Sequence, residues 1–155
     1  MEETPSFMSV EAACEALEGA KLKPRQLDLI INVSGTGEQA IPDTGALIQR
    51  QLGLGKSGIP AMMVYTTCLS FIVGMDVASN LINSGRYKNN LITSADVASF
   101  GINPQEPESA TLVGEAAAAG VLTRPDHGDK SMIHHGGMGK VNCCSFKSGG
   151  RIIKK

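Results

Sequence analysis

Ala61-Met62-Met63-Val64-Tyr65-Thr66-Thr67-Cys68-Leu69-Ser70-Phe71-Ile72-Val73-Gly74-Met75-Asp76-Val77-Ala78 reads as a strand, a short polar turn and a helix. Residues 61–65 form an apolar run, the Thr66-Thr67 pair interrupts it, and from Cys68 onward apolar residues recur at helical spacing. This places a thiol where a strand ends and a helix opens. Unpaired N–H groups and the positive end of the helix dipole favour thiolate at such a point. A thiolate is a strong nucleophile for acyl transfer. The competing reading is a core cysteine, because free Cys is among the most buried residue types.

Working outward, the same grammar repeats. Upstream, Met8, Val10, Ala12, Ala13, Ala16 and Leu17 share one helical face, which Gly19 and Pro24 end. Residues 27–33 are a mostly apolar run of strand length, suited to a sheet covered on both faces. Pro42 suits the first turn of a helix that Ala46, Leu47, Ile48 and Leu52 continue to Gly53. Downstream, the helix from Cys68 ends near Ser84-Gly85, and Leu91-Ile92-Thr93 is the next strand. Residues 101–108, with Pro104 and Pro107, form a polar loop. Residues 111–122 are Ala/Gly-rich and alternate weakly as a further strand, and Met132-Ile133-His134 with Lys140-Val141 suggest a late one. Strands alternating with helices imply parallel βαβ units in a layered α/β domain.

Four blocks, in order, carry a resemblance. Met8-Ser9-Val10-Glu11-Ala12-Ala13 leads into Leu27-Asp28-Leu29-Ile30-Ile31. Ile41-Pro42-Asp43-Thr44-Gly45-Ala46 opens a helix. Thr67-Cys68-Leu69-Ser70-Phe71 follows a small-small-Cys-small-Gly-Phe pattern, and Val113-Gly114-Glu115-Ala116-Ala117-Ala118-Ala119 a Phe-Gly-Asp-Gly-Ala-Gly-Ala pattern, with Glu and Ala as departures. From Ser6 to about Arg124 the chain thus resembles the N-terminal half of the ketoacyl synthase III branch of the thiolase superfamily. The resemblance implies a thiolase-like half-domain over 1–155, α/β, with a mixed, mostly parallel sheet and helices on its faces. Residues 125–155 would be a tail leading toward a second half. It also implies that the family's first strand, expected in the middle of the sheet, is missing from this chain, leaving neighbouring backbone groups without partners.

The same resemblance implies an acyltransferase active in fatty acid biosynthesis, joining an acyl thioester to malonyl-ACP by decarboxylative Claisen condensation. Cys68 would take the acyl group. The family's His and Asn, which stabilise the enolate, come from its second half, so only Cys68 carries over as catalytic. Ile41 matches a residue that projects into a partner subunit's acyl site, and Ala98 and Val113 match pocket-lining positions. Small Ala98, and Val113 where Phe is common, imply room for more than acetyl. Core packing is the alternative for all three. The implied partners are acyl-CoA or acyl-ACP, malonyl-ACP, and a second subunit in a homodimer or heterodimer. No cofactor or metal is implied. Asn103-Pro104-Gln105-Glu106-Pro107-Glu108 lacks the Arg that many bacterial members use for coenzyme A, so residues for that contact stay unassigned. The competing class is a non-catalytic interaction subunit that pairs with a catalytic homologue.

Other motifs carry less. Gly35-Thr36-Gly37-Glu38-Gln39-Ala40 reads as Gly-x-Gly-x-x-Ala after a strand. A dinucleotide site would need a helix opening at those glycines and an acidic residue about 20 positions on. Pro42 restarts the chain, and no Asp or Glu falls between Asp43 and Asp76. Adjacent His134 and His135 would point to opposite faces of a strand, and with adjacent Cys143 and Cys144 they lack the spacer between zinc ligands. Cys14, on the first helix, reads as packing.

At 155 residues the chain has the size of one domain with room for a core. With 42% hydrophobic and 19% charged residues it is composed like an α/β interior rather than a disordered segment. A formal net charge of −1 gives no reason to expect a nucleic-acid binder or a membrane-surface protein. No apolar run approaches the roughly 20 residues that span a bilayer. Met1-Glu2-Glu3-Thr4-Pro5 lacks a signal-peptide core, and the four Cys match no disulfide framework. A reducing, cytoplasmic compartment is expected.

Overall fold

The computed structural model describes residues 4–101, 103, 105, 106, 108, 114–124 and 145–149. Helix α1 (Pro5–Ala20) opens where the Thr4 hydroxyl accepts the Phe7 N–H, with Pro at its first position, and it ends at Lys21 in the left-handed conformation. Strand β1 (Leu29–Asn32) is buried throughout. Helix α2 (Thr44–Gln51) begins two residues later than Pro42 suggests. The Asp43 carboxylate captures the Ala46 N–H at 2.8 Å and makes Asp43 the cap. Strand β2 (Ala61–Met63) is followed by a 3-10 turn (Thr67–Leu69) and helix α3 (Ser70–Asn83). Strands β3 (Asn89–Val97), β4 (Glu115–Thr123) and β5 (Ser145–Gly149) follow, with short 3-10 turns at Pro24–Gln26 and Ala98–Gly101.

The sheet order is β2-β1-β3-β4-β5. Strand β1 pairs parallel with both β2 and β3. Strand β4 runs antiparallel to β3 and to β5, so four of the five strands point one way and β4 opposes them. The gap expected in the middle of the sheet does not occur. Strands β1, β3 and β4 each have a partner on both sides, and their backbone groups find the partners that a buried sheet requires.

Both faces of the sheet are covered, as the apolar run of β1 predicts. On one face Ile30, Leu91, Ala95 and Val121 pack with Met8, Ala12, Ala16 and Leu17 of α1 and Ile48 of α2. On the other, Leu29, Ile31, Val33, Ile92 and Leu122 pack with Ala78 and Ile82 of α3. Glycines set the spacing. A Cβ at Gly45 would lie 2.8 Å from the Met62 carbonyl oxygen, and one at Gly74 would run into Val33 Cγ1. Helices α2 and α3 can therefore lie close against the sheet on opposite faces.

That arrangement creates the site. The connection from β1 to β2 runs through α2 on one face, and the connection from β2 to β3 runs through α3 on the other. In open α/β sheets the crevice at the carboxyl ends of strands, where such connections diverge, is where ligands bind.

Candidate active site

Three segments leave the carboxyl ends of β1, β2 and β3 and line an open cavity of about 410 Å³. From β1 come Val33, Gly35 and Thr36; from the β2 side Tyr65, Thr67, Cys68, Ser70 and Phe71; from β3 Ser94, Asp96 and Ala98, with Gly114 closing one side. Its volume is that of a small-molecule pocket, about 300–1,000 Å³. Val33, Tyr65, Phe71 and Ala98 supply apolar wall, while Thr36, Ser94 and Asp96 supply polar groups.

Cys68 is exposed, not a core residue. It lies in the 3-10 turn, and α3 starts two residues later, at Ser70. The turn is tied from within. Thr66 N–H donates to Ser70 Oγ at 2.9 Å, and the Ser70 hydroxyl donates to the Thr67 carbonyl at 2.7 Å. The Thr67 hydroxyl donates to the Thr66 carbonyl at 2.7 Å, and the Leu69 N–H reaches the same oxygen at 3.2 Å. Thr67, immediately before the cysteine, has φ 54°. A β-branched residue in that region costs on the order of 1–3 kcal/mol and persists where its surroundings hold it.

The loop after β1 is fixed to β3. Thr36 N–H and the Thr36 hydroxyl donate to Asp96 Oδ1 at 2.7 and 2.9 Å. Beneath them Asn32 Nδ2 donates to Ser34 Oγ at 2.9 Å, and the Ala95 N–H donates to the same oxygen at 2.9 Å. This disposes of the Gly-x-Gly-x-x-Ala motif as a phosphate cradle. No helix opens at Gly35 or Gly37, the Thr36 N–H is given to a carboxylate, and that carboxylate would repel an anion.

The expected site residues part company here. Cys68 and Ala98 line the same cavity. Ile41 does not line it. It stands 89% exposed on the 35–43 loop, whose Glu38 carboxylate accepts the Ser6 N–H at the start of α1. Val113, His134, His135, Cys143 and Cys144 lie outside the described residues, as do Met132 and Lys140, and the late strand that is described is β5. Cys14 departs from expectation. It is exposed on α1 rather than packed, though partial burial pushes its thiol up and Glu11 adds to that. Among the described residues no group of three or more His, Cys, Asp or Glu could hold a metal ion. No described helix is long and apolar enough to cross a membrane. Sequence reasoning passed over Thr36, Ser70 and Asp96. Asp96 carried one signal, a lone charge within a run of small and apolar strand residues.

With this geometry in place, relatives can be compared. The crystal structure of 3-oxoacyl-[acyl-carrier-protein] synthase III from Aquifex aeolicus matches with a TM-score of 0.78 and 38% identity, over 84% of this chain and 41% of that one. The Pseudomonas aeruginosa structure of the same name, at 23% identity, shares the fold with a TM-score of 0.73 over 83% of this chain and 39% of that one. The chain therefore has a thiolase-like α/β fold. A family model described as 3-oxoacyl-[acyl-carrier-protein (ACP)] synthase III matches residues 64–137. The Aquifex aeolicus β-ketoacyl-[acyl-carrier-protein] synthase III is 38% identical over 132 residues, 85% of this chain and 41% of that protein. The protein of that name from Clostridioides difficile is 29% identical over 153 residues, 98% of this chain and 46% of that protein. The chain is thus similar, over most of its own length, to 3-oxoacyl-ACP synthase III proteins and spans less than half the length of these relatives.

Proposed function

We propose that this chain supplies the acyl-accepting part of a 3-oxoacyl-ACP synthase III-type condensation, with Cys68 as the nucleophile. One observation carries the reading: an exposed thiol, in a tied turn before a helix, opens on a cavity at the carboxyl ends of three parallel strands. In the first half-reaction the Cys68 thiolate attacks the carbonyl of an acyl-CoA or acyl-ACP. The thioester bond to the carrier breaks, the carrier leaves as its thiolate, and the acyl group stays on Cys68 as a new thioester. In the second, malonyl-ACP loses CO2, and the enolate so formed attacks the acyl-Cys68 carbonyl. A carbon–carbon bond forms, the 3-oxoacyl product stays on the carrier, and Cys68 is released as thiolate.

The described lining residues include no His or Asn for the second step. Groups that stabilise an enolate must sit within hydrogen-bond reach, so we assign them to a second structural half, beyond the described residues or on a partner chain. Tyr65, Leu69 and Ile72 are each more than half exposed beside edge strand β2, and this supports an isologous subunit contact there. Ala98 is assigned to the acyl wall, together with Val113; Ile41 is assigned to a partner's site. A cytoplasmic location fits this chemistry and the composition.

The test adds malonyl-ACP and an acyl thioester to the chain, alone and with a chain carrying a second half. The account expects 3-oxoacyl product only from the pair, and none with Cys68→Ala. An active pair containing Cys68→Ala would favour a non-catalytic interaction subunit instead. Sedimentation should show a dimer at high protein concentration.

A further inference from the structure

We propose that Ser70 is a positioning residue for Cys68, acting through the backbone of the turn that carries the thiol. The inference rests on Cys68 being the nucleophile and deepens that reading. Ser70 is the first residue of α3 and is only 2% exposed. Its hydroxyl does not cap its own helix forward, as an N-terminal serine commonly does. It reaches backward instead, accepting the Thr66 N–H at 2.9 Å and donating to the Thr67 carbonyl at 2.7 Å. One side chain thus ties the Tyr65–Thr66 peptide group to the Thr67–Cys68 one, bracketing the Cα atoms of Thr66 and Thr67. Thr67 is the residue held at φ 54°, and Cys68 follows it. Among the described residues, Lys21 is the one other non-glycine at positive φ, and it ends a helix, where that conformation is routine.

A left-handed φ at a β-branched residue relaxes when nothing holds it. Rotation there re-aims every bond that follows, beginning with the Cα–Cβ bond of Cys68. Burial of the Ser70 side chain limits the competition of water for the two hydrogen bonds.

The test uses the full chain. Cys68 alkylation by iodoacetamide is followed by peptide mass mapping from pH 6 to 10 (~0.5-unit steps), with Cys14 as the internal control. Amide exchange at Thr66 is measured in the same samples. Ser70→Ala should slow Cys68 about tenfold, equivalent to about 1.4 kcal/mol, while the Cys14 rate stays unchanged. Thr66 should lose its protection. Adding Thr67→Gly in the Ser70→Ala background should restore most of the Cys68 rate, because glycine holds φ > 0 without a clamp. A purely structural role for Ser70 would not give that rescue. If wild-type Cys68 reacts fast and Ser70→Ala reacts equally fast, the inference falls and the nucleophile reading stands. Unchanged Thr66 protection in Ser70→Ala also overturns it. Wild-type Cys68 reacting more slowly than Cys14 would overturn the nucleophile reading and this inference with it.

Discussion

Thr36 gives both its backbone N–H and its hydroxyl to one oxygen of Asp96, at 2.7 and 2.9 Å. The pair spans 60 residues of sequence and joins the exit of β1 to the end of β3 across the cavity wall. Hydrogen bonds to a charged acceptor contribute about 1.5–3 kcal/mol where water is excluded, less where it is not. Asp96 is half-buried. Asp96→Ala should therefore destabilise the fold by about 1–2 kcal/mol, lowering Tm by about 2–8 °C. Asp96→Asn keeps an acceptor and should lose less than Asp96→Ala. Thermal denaturation of the two variants checks this, and an Asp96→Ala protein as stable as wild type would refute it.

The glycines that let helices approach the sheet make a second prediction. A Cβ at Gly45 meets the backbone of Met62, and one at Gly74 meets the buried Val33 just after β1, so neither neighbour can swing aside freely. Gly45→Ala and Gly74→Ala should each cost about 1–3 kcal/mol in denaturant unfolding. At Gly55 the nearest atom to an added Cβ is Arg50 Cα at 3.9 Å, which is ordinary contact. Gly55→Ala should be neutral or stabilise by up to about 1 kcal/mol through the unfolded state. Equal losses at all three positions would mean that close packing is not what those glycines serve.

Much of this was legible in the sequence. The apolar run at 27–33 and the 61–78 stretch announce parallel strands with a helical crossover; β1 and β2 fall within them, and α3 begins within the second. Boundaries blurred where side chains rewrote local propensity. Asp43 moved the start of α2 past Pro42, and Ser70 and Thr67 made Cys68 part of a 3-10 turn rather than of the helix. Strand β3 extends six residues beyond the Leu91-Ile92-Thr93 run. Its length is set by nine residue pairs with β4, a long-range match that no local periodicity displays. The thiol could be read from its place between strand and helix. Asp96 and Thr36 could not be paired from sequence, because their meeting depends on which strands become neighbours.

Cys14 provides a pH-dependent prediction. Partial burial pushes its thiol up, and the Glu11 carboxylate beside it pushes the same way. At any given pH it then carries less thiolate than an ordinary cysteine near pKa about 8.5. Its alkylation should be slow at neutral pH and still rising where a free thiol has levelled off. Because the folded-state value lies above the unfolded one, the linked stability is full below the unfolded pKa and is lost as pH rises through the folded value. Cys14→Ser should remove that alkaline loss, and Glu11→Gln should bring the alkylation profile back toward that of a free thiol. A Cys14 profile identical to that of a small-molecule thiol would contradict this.

The central claim is that Cys68 accepts an acyl group. Its most direct test is incubation of the folded chain with a radiolabelled short-chain acyl thioester, followed by acid quench and peptide mapping before the thioester can hydrolyse. The account predicts label on the peptide containing Cys68, stable in acid and released by hydroxylamine, with none on that containing Cys14 and none at all in Cys68→Ala. Label on another residue, or a folded chain that takes up no acyl group while Cys68 remains free to alkylate, would contradict it.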